Sequence, residues 1–65
     1  MGSGYYAQLC AILRNHGCTL TRQAKGSHEI WYSPITKIPV TISVTVSSRH
    51  TANGILKQAG IDQKI

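Results

Sequence analysis

Apolar residues recur every three or four positions near both ends of the chain, which is the spacing of amphipathic helices. Near the start, this spacing predicts a helix over Tyr5–Asn15 that is closed by Gly17 as a left-handed C-cap. Near the end, it predicts a second helix that has Thr51 as its N-cap, runs through Ala59 and is capped by Gly60. The two apolar stripes are formed by Tyr5, Tyr6, Leu9, Cys10, Ile12 and Leu13, and by Ile55, Leu56 and Ala59.

Between the predicted helices, apolar and polar residues alternate, which predicts three antiparallel strands. The first strand covers Cys18–Gln23 and is expected to be half-buried, with Cys18 and Leu20 on one face and Thr19 and Thr21 on the other. The second covers His28–Tyr32 and the third covers Val40–Val46, in which branched apolar residues alternate with Thr and Ser. A dry face and a wet face on one strand indicate a sheet that is covered on one side only.

The order of these elements predicts an α+β sandwich with the sequence α-β-β-β-α. Both helices are expected on one face of the three-stranded sheet, in a single domain over residues 1–65. Turns are expected at residues 24–27 and 33–37, and a loop at residues 47–50 leads into the second helix.

The orientation of the second strand stays open. Its two faces carry His28, Ile30 and Tyr32 on one side and Glu29, Trp31 and Ser33 on the other. If Ile30 and Tyr32 pack under the helices, Trp31 is exposed and could stack on a base or anchor a protein partner. If Trp31 is in the core, Ile30 and Tyr32 are the exposed pair. We favour the first arrangement, although all three side chains could equally serve packing alone.

Charge narrows the class of partner. The 65 residues include 7 Lys and Arg against 2 Asp and Glu, which gives a formal net charge of +5 and a pI near 9.7. Such a balance indicates a polyanionic partner: nucleic acid, an anionic membrane surface or an acidic protein. No segment resembles a signal peptide or a run of about 18 apolar residues that could span a membrane. We therefore expect a cytoplasmic protein without a membrane partner.

Metal and cofactor chemistry has little support in the sequence. The three histidines lie on different predicted elements, and Cys10 and Cys18 do not have zinc-ligand spacing. We interpret the cysteines as buried thiols, with a bridge between them left open. Glu29 and Asp62 are too few carboxylates for a two-metal nuclease, and no phosphate-binding glycine loop is present. Neither a metal nor a cofactor is expected, so any phosphodiester cleavage would rest on acid–base chemistry.

His28 is the residue best suited to such chemistry, because imidazole exchanges protons near neutral pH. It follows Ser27 at the start of a strand, while Gly26 permits close approach of a phosphate and Lys25 and Arg22 add positive charge. The alternative is an ordinary histidine that begins a strand. Further candidates for phosphate contact are Lys37 and Lys57, together with Arg49 and His50, which precede the predicted second helix.

Three segments together resemble the HicA toxins of bacterial toxin–antitoxin systems. They are Lys25-Gly26-Ser27-His28, the strand Val40–Val46 and the stretch from Ile55 to Ile61, and the resemblance extends over Leu9–Ile61. It implies a fold similar to a double-stranded RNA-binding domain, ribosome-independent cleavage of mRNA, arrest of translation and growth, and a HicB-type antitoxin that covers the active surface. It also implies that His28 is the functional histidine and that Gly26 is the position of close approach. Many HicA toxins carry a second histidine where this chain has Glu29, and many have a longer loop before the last helix.

The leading hypothesis is a metal-independent mRNA endoribonuclease with His28 as its catalytic residue. Its predicted RNA contacts are Arg22, Lys25, Gly26, Ser27, Lys37, Arg49, His50 and Lys57. The second hypothesis is an RNA-binding module of the same fold without catalysis. The third is a protein-interaction domain with a basic face. A DNA-binding module is disfavoured, since the last helix offers only Lys57 for reading bases.

Overall fold

The computed structural model describes residues 4–65, so residues 1–3 of the predicted domain range lie outside it. Five elements follow one another: α1 (Tyr6–Asn15), β1 (Thr19–Gln23), β2 (His28–Ser33), β3 (Ile38–Ser43) and α2 (Arg49–Gln58). The strands form one antiparallel sheet in the order β1-β2-β3. The α+β class and the order α-β-β-β-α are confirmed.

The core lies between the two helices and one face of the sheet. The helices contribute the buried residues Leu9, Cys10, Ile12, Leu13, Ala52, Ile55 and Leu56, and the sheet contributes Trp31, Val40 and Ile42. Both cysteines are buried free thiols, as predicted. Burial raises the pKa of the Cys10 thiol, because a thiolate would lose its hydration there.

Both helices run from one end of the sheet to the other. At the end where β2 begins, which we call the His28 end, the N–H of Tyr5 donates to the carbonyl of Val46 at 2.9 Å. At the opposite end, which we call the hairpin end because the β2–β3 turn lies there, the hydroxyl of Ser33 donates to the carbonyl of Ala59 at 2.6 Å. The predicted left-handed caps are confirmed, with φ of +87° at Gly17 and +80° at Gly60.

The favoured orientation of β2 was wrong. Trp31 is only 1% exposed and packs in the core, whereas Tyr32 is 41% exposed. The two polar residues that share the face of Trp31 can be buried because each has a partner: Glu29 accepts hydrogen bonds from Tyr6 and Trp31, and Ser33 bonds to Ala59. Two of these partners, Tyr6 and Ala59, are far away in the sequence, so the alternation within the strand does not by itself reveal which face is inside.

The prediction of a half-buried first strand was also wrong. All five residues of β1 are exposed, including Leu20, because β1 is an edge strand beyond the cover of the helices. Cys18 is buried, but it precedes the strand. The third strand ends at Ser43 rather than Val46, since the chain turns at residues 44–45 and the N–H of Val46 donates back to the Ser43 carbonyl at 3.2 Å.

The second helix begins earlier than predicted. Ser48 is its N-cap, and the Ser48 hydroxyl accepts a hydrogen bond from the N–H of Thr51 at 3.4 Å. Thr51 is therefore inside the helix, and Arg49 and His50 form its first turn instead of preceding it. The shift is explained by Ala52, a buried residue that extends the apolar stripe one turn toward the N-terminus.

Candidate nucleic-acid interface

The face of the sheet opposite the helices is uncovered, and we call it the open face. The β2–β3 register places His28 opposite Ser43, Ile30 opposite Thr41 and Tyr32 opposite Pro39. On the other side of β2, Arg22 lies opposite Ile30 and Thr19 lies opposite Tyr32. Residues directly opposite each other share a face, so the open face consists of Thr19, Arg22, His28, Ile30, Tyr32, Pro39, Thr41 and Ser43.

His28 is the first residue of β2 and is exposed at one end of the open face. Its Nδ1 lies 3.3 Å from the carbonyl oxygen of Lys25. A carbonyl can only accept, so Nδ1 carries a proton in this contact, and in the neutral form of the ring the lone pair is then on Nε2. Among residues 4–65, Nε2 has no hydrogen-bond partner. The imidazole is thus oriented by its own turn and presents Nε2 to solvent.

The turn before His28 is open to an approaching group. Gly26 has φ of +66°, a conformation that other residues rarely adopt, and a Cβ there would meet no atom within 4 Å. Two backbone hydrogen bonds of 2.8 Å hold the turn. The N–H of Ala24 donates to the carbonyl of His28, and the N–H of Val44 donates to the carbonyl of Ser27. Within residues 4–65, the N–H groups of Gly26 and Ser27 have no acceptor. Unpaired N–H groups in such a turn can bind an anion.

A bulge in β1 brings Arg22 to the same face as His28. The register pairs Leu20 with Trp31 and Arg22 with Ile30, so Thr21 is an extra residue between them. Arg22 is therefore a diagonal neighbour of His28, at about 7–8 Å between the backbones. With regular alternation Arg22 would share the face of Leu20 and point away from His28.

The predicted RNA contacts divide into groups. Arg22, Lys25, Gly26 and Ser27 lie together with His28 at one end of the sheet. Lys37 lies in the turn at the hairpin end, about 16 Å from His28 at 3.3 Å per strand residue. Arg49 and His50 lie in the first turn of α2, and Lys57 lies in its last turn, all three within the helix layer.

Two features of this region were missed by sequence reasoning. Ser43 lies directly opposite His28, and its Oγ is 2.9 Å from Oγ1 of Thr45, which places a hydroxyl pair beside the imidazole. Beneath the sheet, the carboxylate of Glu29 accepts a hydrogen bond from the hydroxyl of Tyr6 at 2.7 Å and from Nε1 of Trp31 at 3.1 Å. Neither feature has a local sequence signal, because both depend on the register and on contacts across the fold.

The side chain of Glu29 does not lie on the open face with His28. It is 7% exposed and points toward the helices, whereas its neighbour His28 points to the open face. The hydrogen bond to Glu29, reinforced by burial, raises the pKa of Tyr6, so the phenol remains a donor. The guanidinium of Arg14 lies 5.3 Å from the ring centroid of Trp31 and covers the same cluster. This carboxylate therefore stabilises the layer below the site and cannot exchange protons with His28.

A second concave surface lies on the helix layer, along α2 and the C-terminal segment. It is lined in part by His50, Gly54, Lys57 and Asp62. This surface carries both positive and negative side chains, and it lies on the helix layer rather than on the open face with His28. Among residues 4–65, no three His, Cys, Asp or Glu side chains come together as potential metal ligands. Neither of the helices described is long and apolar enough to cross a membrane.

Comparison with known proteins gives one family. A family model described as the HicA toxin of bacterial toxin–antitoxin matches residues 6–61, which is most of the chain. No curated protein and no solved structure matches the chain. The matched range includes all three strands, both helices, the turn before His28 and Gly60.

Proposed function

The chain belongs to the HicA toxin family, the toxins of bacterial toxin–antitoxin systems, and on that premise we propose that it is a metal-independent endoribonuclease. It cleaves mRNA in the cytoplasm and thereby arrests translation and growth. The observation that carries the proposal is the exposed imidazole of His28, with Nε2 free, beside Arg22 and Lys25 on an uncovered basic surface.

In the proposed reaction, Nε2 of His28 removes the proton of a ribose 2′-hydroxyl. The 2′-oxygen forms a bond to the adjacent phosphorus while the bond from phosphorus to the 5′-oxygen breaks. One fragment then ends in a 2′,3′-cyclic phosphate and the other in a 5′-hydroxyl. The residues assigned to the open face include no second imidazole and no carboxyl group. The leaving 5′-oxygen therefore takes its proton from water, and the imidazolium returns its own proton to water.

Charge stabilisation comes from the surroundings of His28. The phosphate gains negative charge as the 2′-oxygen attacks, and fixed donors near it lower the barrier. Arg22 and Lys25 supply positive charge, and the unpaired N–H groups of Gly26 and Ser27 supply donors on the open side of the turn. The RNA makes further contacts away from the cleaved bond. They are with Lys37 at the hairpin end and with Arg49, His50 and Lys57 on the helix layer.

The toxin of such a system has an antitoxin partner. We assign a HicB-type antitoxin, which blocks the toxin by covering the open face. A partner that carries acidic groups would match the net charge of +5.

The test is cleavage of mRNA in EDTA by the wild type, His28→Ala and His16→Ala. His16 is the matched control, because it is an exposed histidine at the end of α1 whose Nδ1 bonds to Ile12. We expect His28→Ala to lose about 10²–10⁴-fold in rate, the usual contribution of one acid–base group, and His16→Ala to cleave normally. Induced expression should arrest growth with the wild type and His16→Ala only.

Three results would contradict the proposal. Equal cleavage by His28→Ala would remove the catalytic role of His28. Loss of wild-type cleavage in EDTA would remove the metal-free mechanism. Binding of RNA without any cleavage would support the second hypothesis, an RNA-binding module without catalysis.

A further inference from the structure

Tyr32 is a large side chain on the open face that the fold does not use. It is 41% exposed, and its hydroxyl has no hydrogen-bond partner among residues 4–65. Its cross-strand neighbours on this face are Pro39 and Thr19, both short, so the ring is accessible from the solvent side. Trp31 is buried on the opposite face. Tyr32 is therefore the aromatic side chain that this strand offers to a ligand.

Tyr32 is aligned with the candidate catalytic residue. It lies on the same strand and the same face as His28, four residues or about 13 Å farther along, with the half-buried Ile30 between them. A chain that is cleaved beside His28 and runs along β2 must pass over this ring.

Lys37 lies in the turn that follows β2, at the hairpin end, and is exposed. It has φ of +59°, in the left-handed region where glycine is favoured and a lysine is strained. The turn is closed by a 2.7 Å hydrogen bond from the backbone N–H of Lys37 to the carbonyl of Ser33, which any residue except proline could form. The fold would be better served by glycine, so the strain points to a use for the lysine side chain.

We propose that single-stranded RNA binds along the open face from His28 to Tyr32 and reaches the turn beyond it, with one base stacked on Tyr32 and one phosphate paired with Lys37. Stacking on an aromatic ring requires a base that is free of its duplex partner. The positive ends of the track, Arg22 and Lys25 at one side and Lys37 at the other, complement a polyanion. The inference rests on the proposed function for its substrate class, and its test measures binding without cleavage.

The probe is a mixed-sequence 2′-O-methyl RNA oligonucleotide with a fluorescent label, which cannot be cleaved through its 2′-oxygen. Fluorescence anisotropy with the full chain gives Kd. We expect Tyr32→Ala to weaken binding roughly 5- to 150-fold, equivalent to 1–3 kcal/mol for one stacked base, and Tyr32→Phe to retain it. Leu20→Ala is the matched control, because Leu20 is similarly exposed but lies opposite Trp31 on the other face. We expect its Kd to stay close to that of the wild type, and the same probe annealed to its complement to bind more weakly.

Lys37→Gly separates recognition from structure. Relief of the left-handed strain should raise Tm, while loss of a phosphate contact should weaken binding and reduce the slope of log K against log salt by about 0.7. Lys64→Gly removes the same charge from the C-terminal segment and should keep the slope.

Wild-type Kd in both Tyr32→Ala and Lys37→Gly would overturn the inference. Tighter binding of the duplex would overturn it as well. A Tyr32-dependent Kd in a protein that does not cleave mRNA would support this inference while refuting the proposed catalysis. Cleavage of mRNA together with the same Kd for the wild type and Tyr32→Ala would refute this inference and support the proposed catalysis.

Discussion

Arg22 lies opposite Ile30, and not opposite Glu29 where an uninterrupted count from the Leu20–Trp31 pair would place it. The extra residue, Thr21, is accommodated as a bulge on an edge strand that is exposed along its whole length. A shift of one residue exchanges the two faces of a strand. The bulge therefore decides that the guanidinium shares the face of His28 rather than the face of the core.

Replacing Arg22 should affect binding without affecting the fold. We expect Arg22→Gln to weaken RNA binding and to reduce the slope of log K against log salt by about 0.7 for one phosphate contact. The free energy of unfolding should change by less than about 0.5 kcal/mol, because the residue is exposed. Anisotropy titrations at several salt concentrations and urea denaturation measure the two quantities.

Deleting Thr21 should be tolerated, because the deletion removes the bulge but keeps Leu20 opposite Trp31 and Arg22 opposite Ile30. We expect the deletion variant to bind RNA within a few-fold of the wild type. If it binds as poorly as Arg22→Gln, the geometry of the bulge, and not only the face on which Arg22 lies, contributes to RNA binding.

Removal of the buried carboxylate should be costly. In Glu29→Ala, the Tyr6 hydroxyl and the Trp31 N–H lose their acceptor, which should lower the free energy of unfolding by about 2–4 kcal/mol. Glu29→Gln keeps an accepting oxygen and should lose less than half of that amount. Urea denaturation gives the comparison, with the exposed Asp62→Ala as the control for loss of a negative charge. Equal losses for Ala and Gln would show that the charge matters more than the hydrogen bonds.

The same cluster should make stability sensitive to alkali. The pKa of Tyr6 is raised from its ordinary value of 10.0 by the hydrogen bond to Glu29 and by burial, so the folded protein keeps a proton that the unfolded chain releases. The resulting stability is fully present below about pH 10 and is lost as the pH rises further. We expect wild-type stability to fall more steeply above pH 10 than that of Tyr6→Phe. Parallel curves would contradict the pKa shift.

Two glycines should respond to alanine with opposite signs. Gly54 lies inside α2, and a Cβ at this position would have no atom within 4 Å, so Gly54→Ala should stabilise the protein by about 1 kcal/mol. Gly60 has φ of +80° and would bring a Cβ to 2.7 Å from Ile35, so Gly60→Ala should destabilise it. Thermal denaturation of both variants measures the difference, and a loss of stability in Gly54→Ala would indicate a packing role that the structure lacks.

Much of the fold could be predicted because its signals are local. The helical spacing of Leu9 and Leu13, the left-handed glycines after both helices and the alternation around Val40 are read from neighbouring residues. The start of α2 was missed because Ser47, Ser48 and Thr51 all carry a hydroxyl that could cap a helix, and the capping bond of Ser48 and the burial of Ala52 are seen only in the folded chain.

The candidate site was predictable only in part. Lys25, Gly26, Ser27 and His28 are consecutive residues, so the sequence alone shows that they lie close together. The sequence did not reveal which face of β2 points inward, since either Trp31 or the pair Ile30 and Tyr32 could fill the core. The choice depends on hydrogen-bond partners from distant elements, such as Tyr6. Arg22 was predicted to lie near His28, but the face on which it lies was not visible in the sequence, because a bulge is defined by the pairing with the neighbouring strand.

The alternation of β2 has a consequence for how this protein can change over evolutionary time. His28, Ile30 and Tyr32 face outward, while Glu29, Trp31 and Ser33 maintain the interior. Mutations at the exposed outward positions, His28 and Tyr32, can therefore accumulate with little penalty to folding. Ligand preference can drift, or diverge between duplicated copies, on a scaffold whose interior remains unchanged.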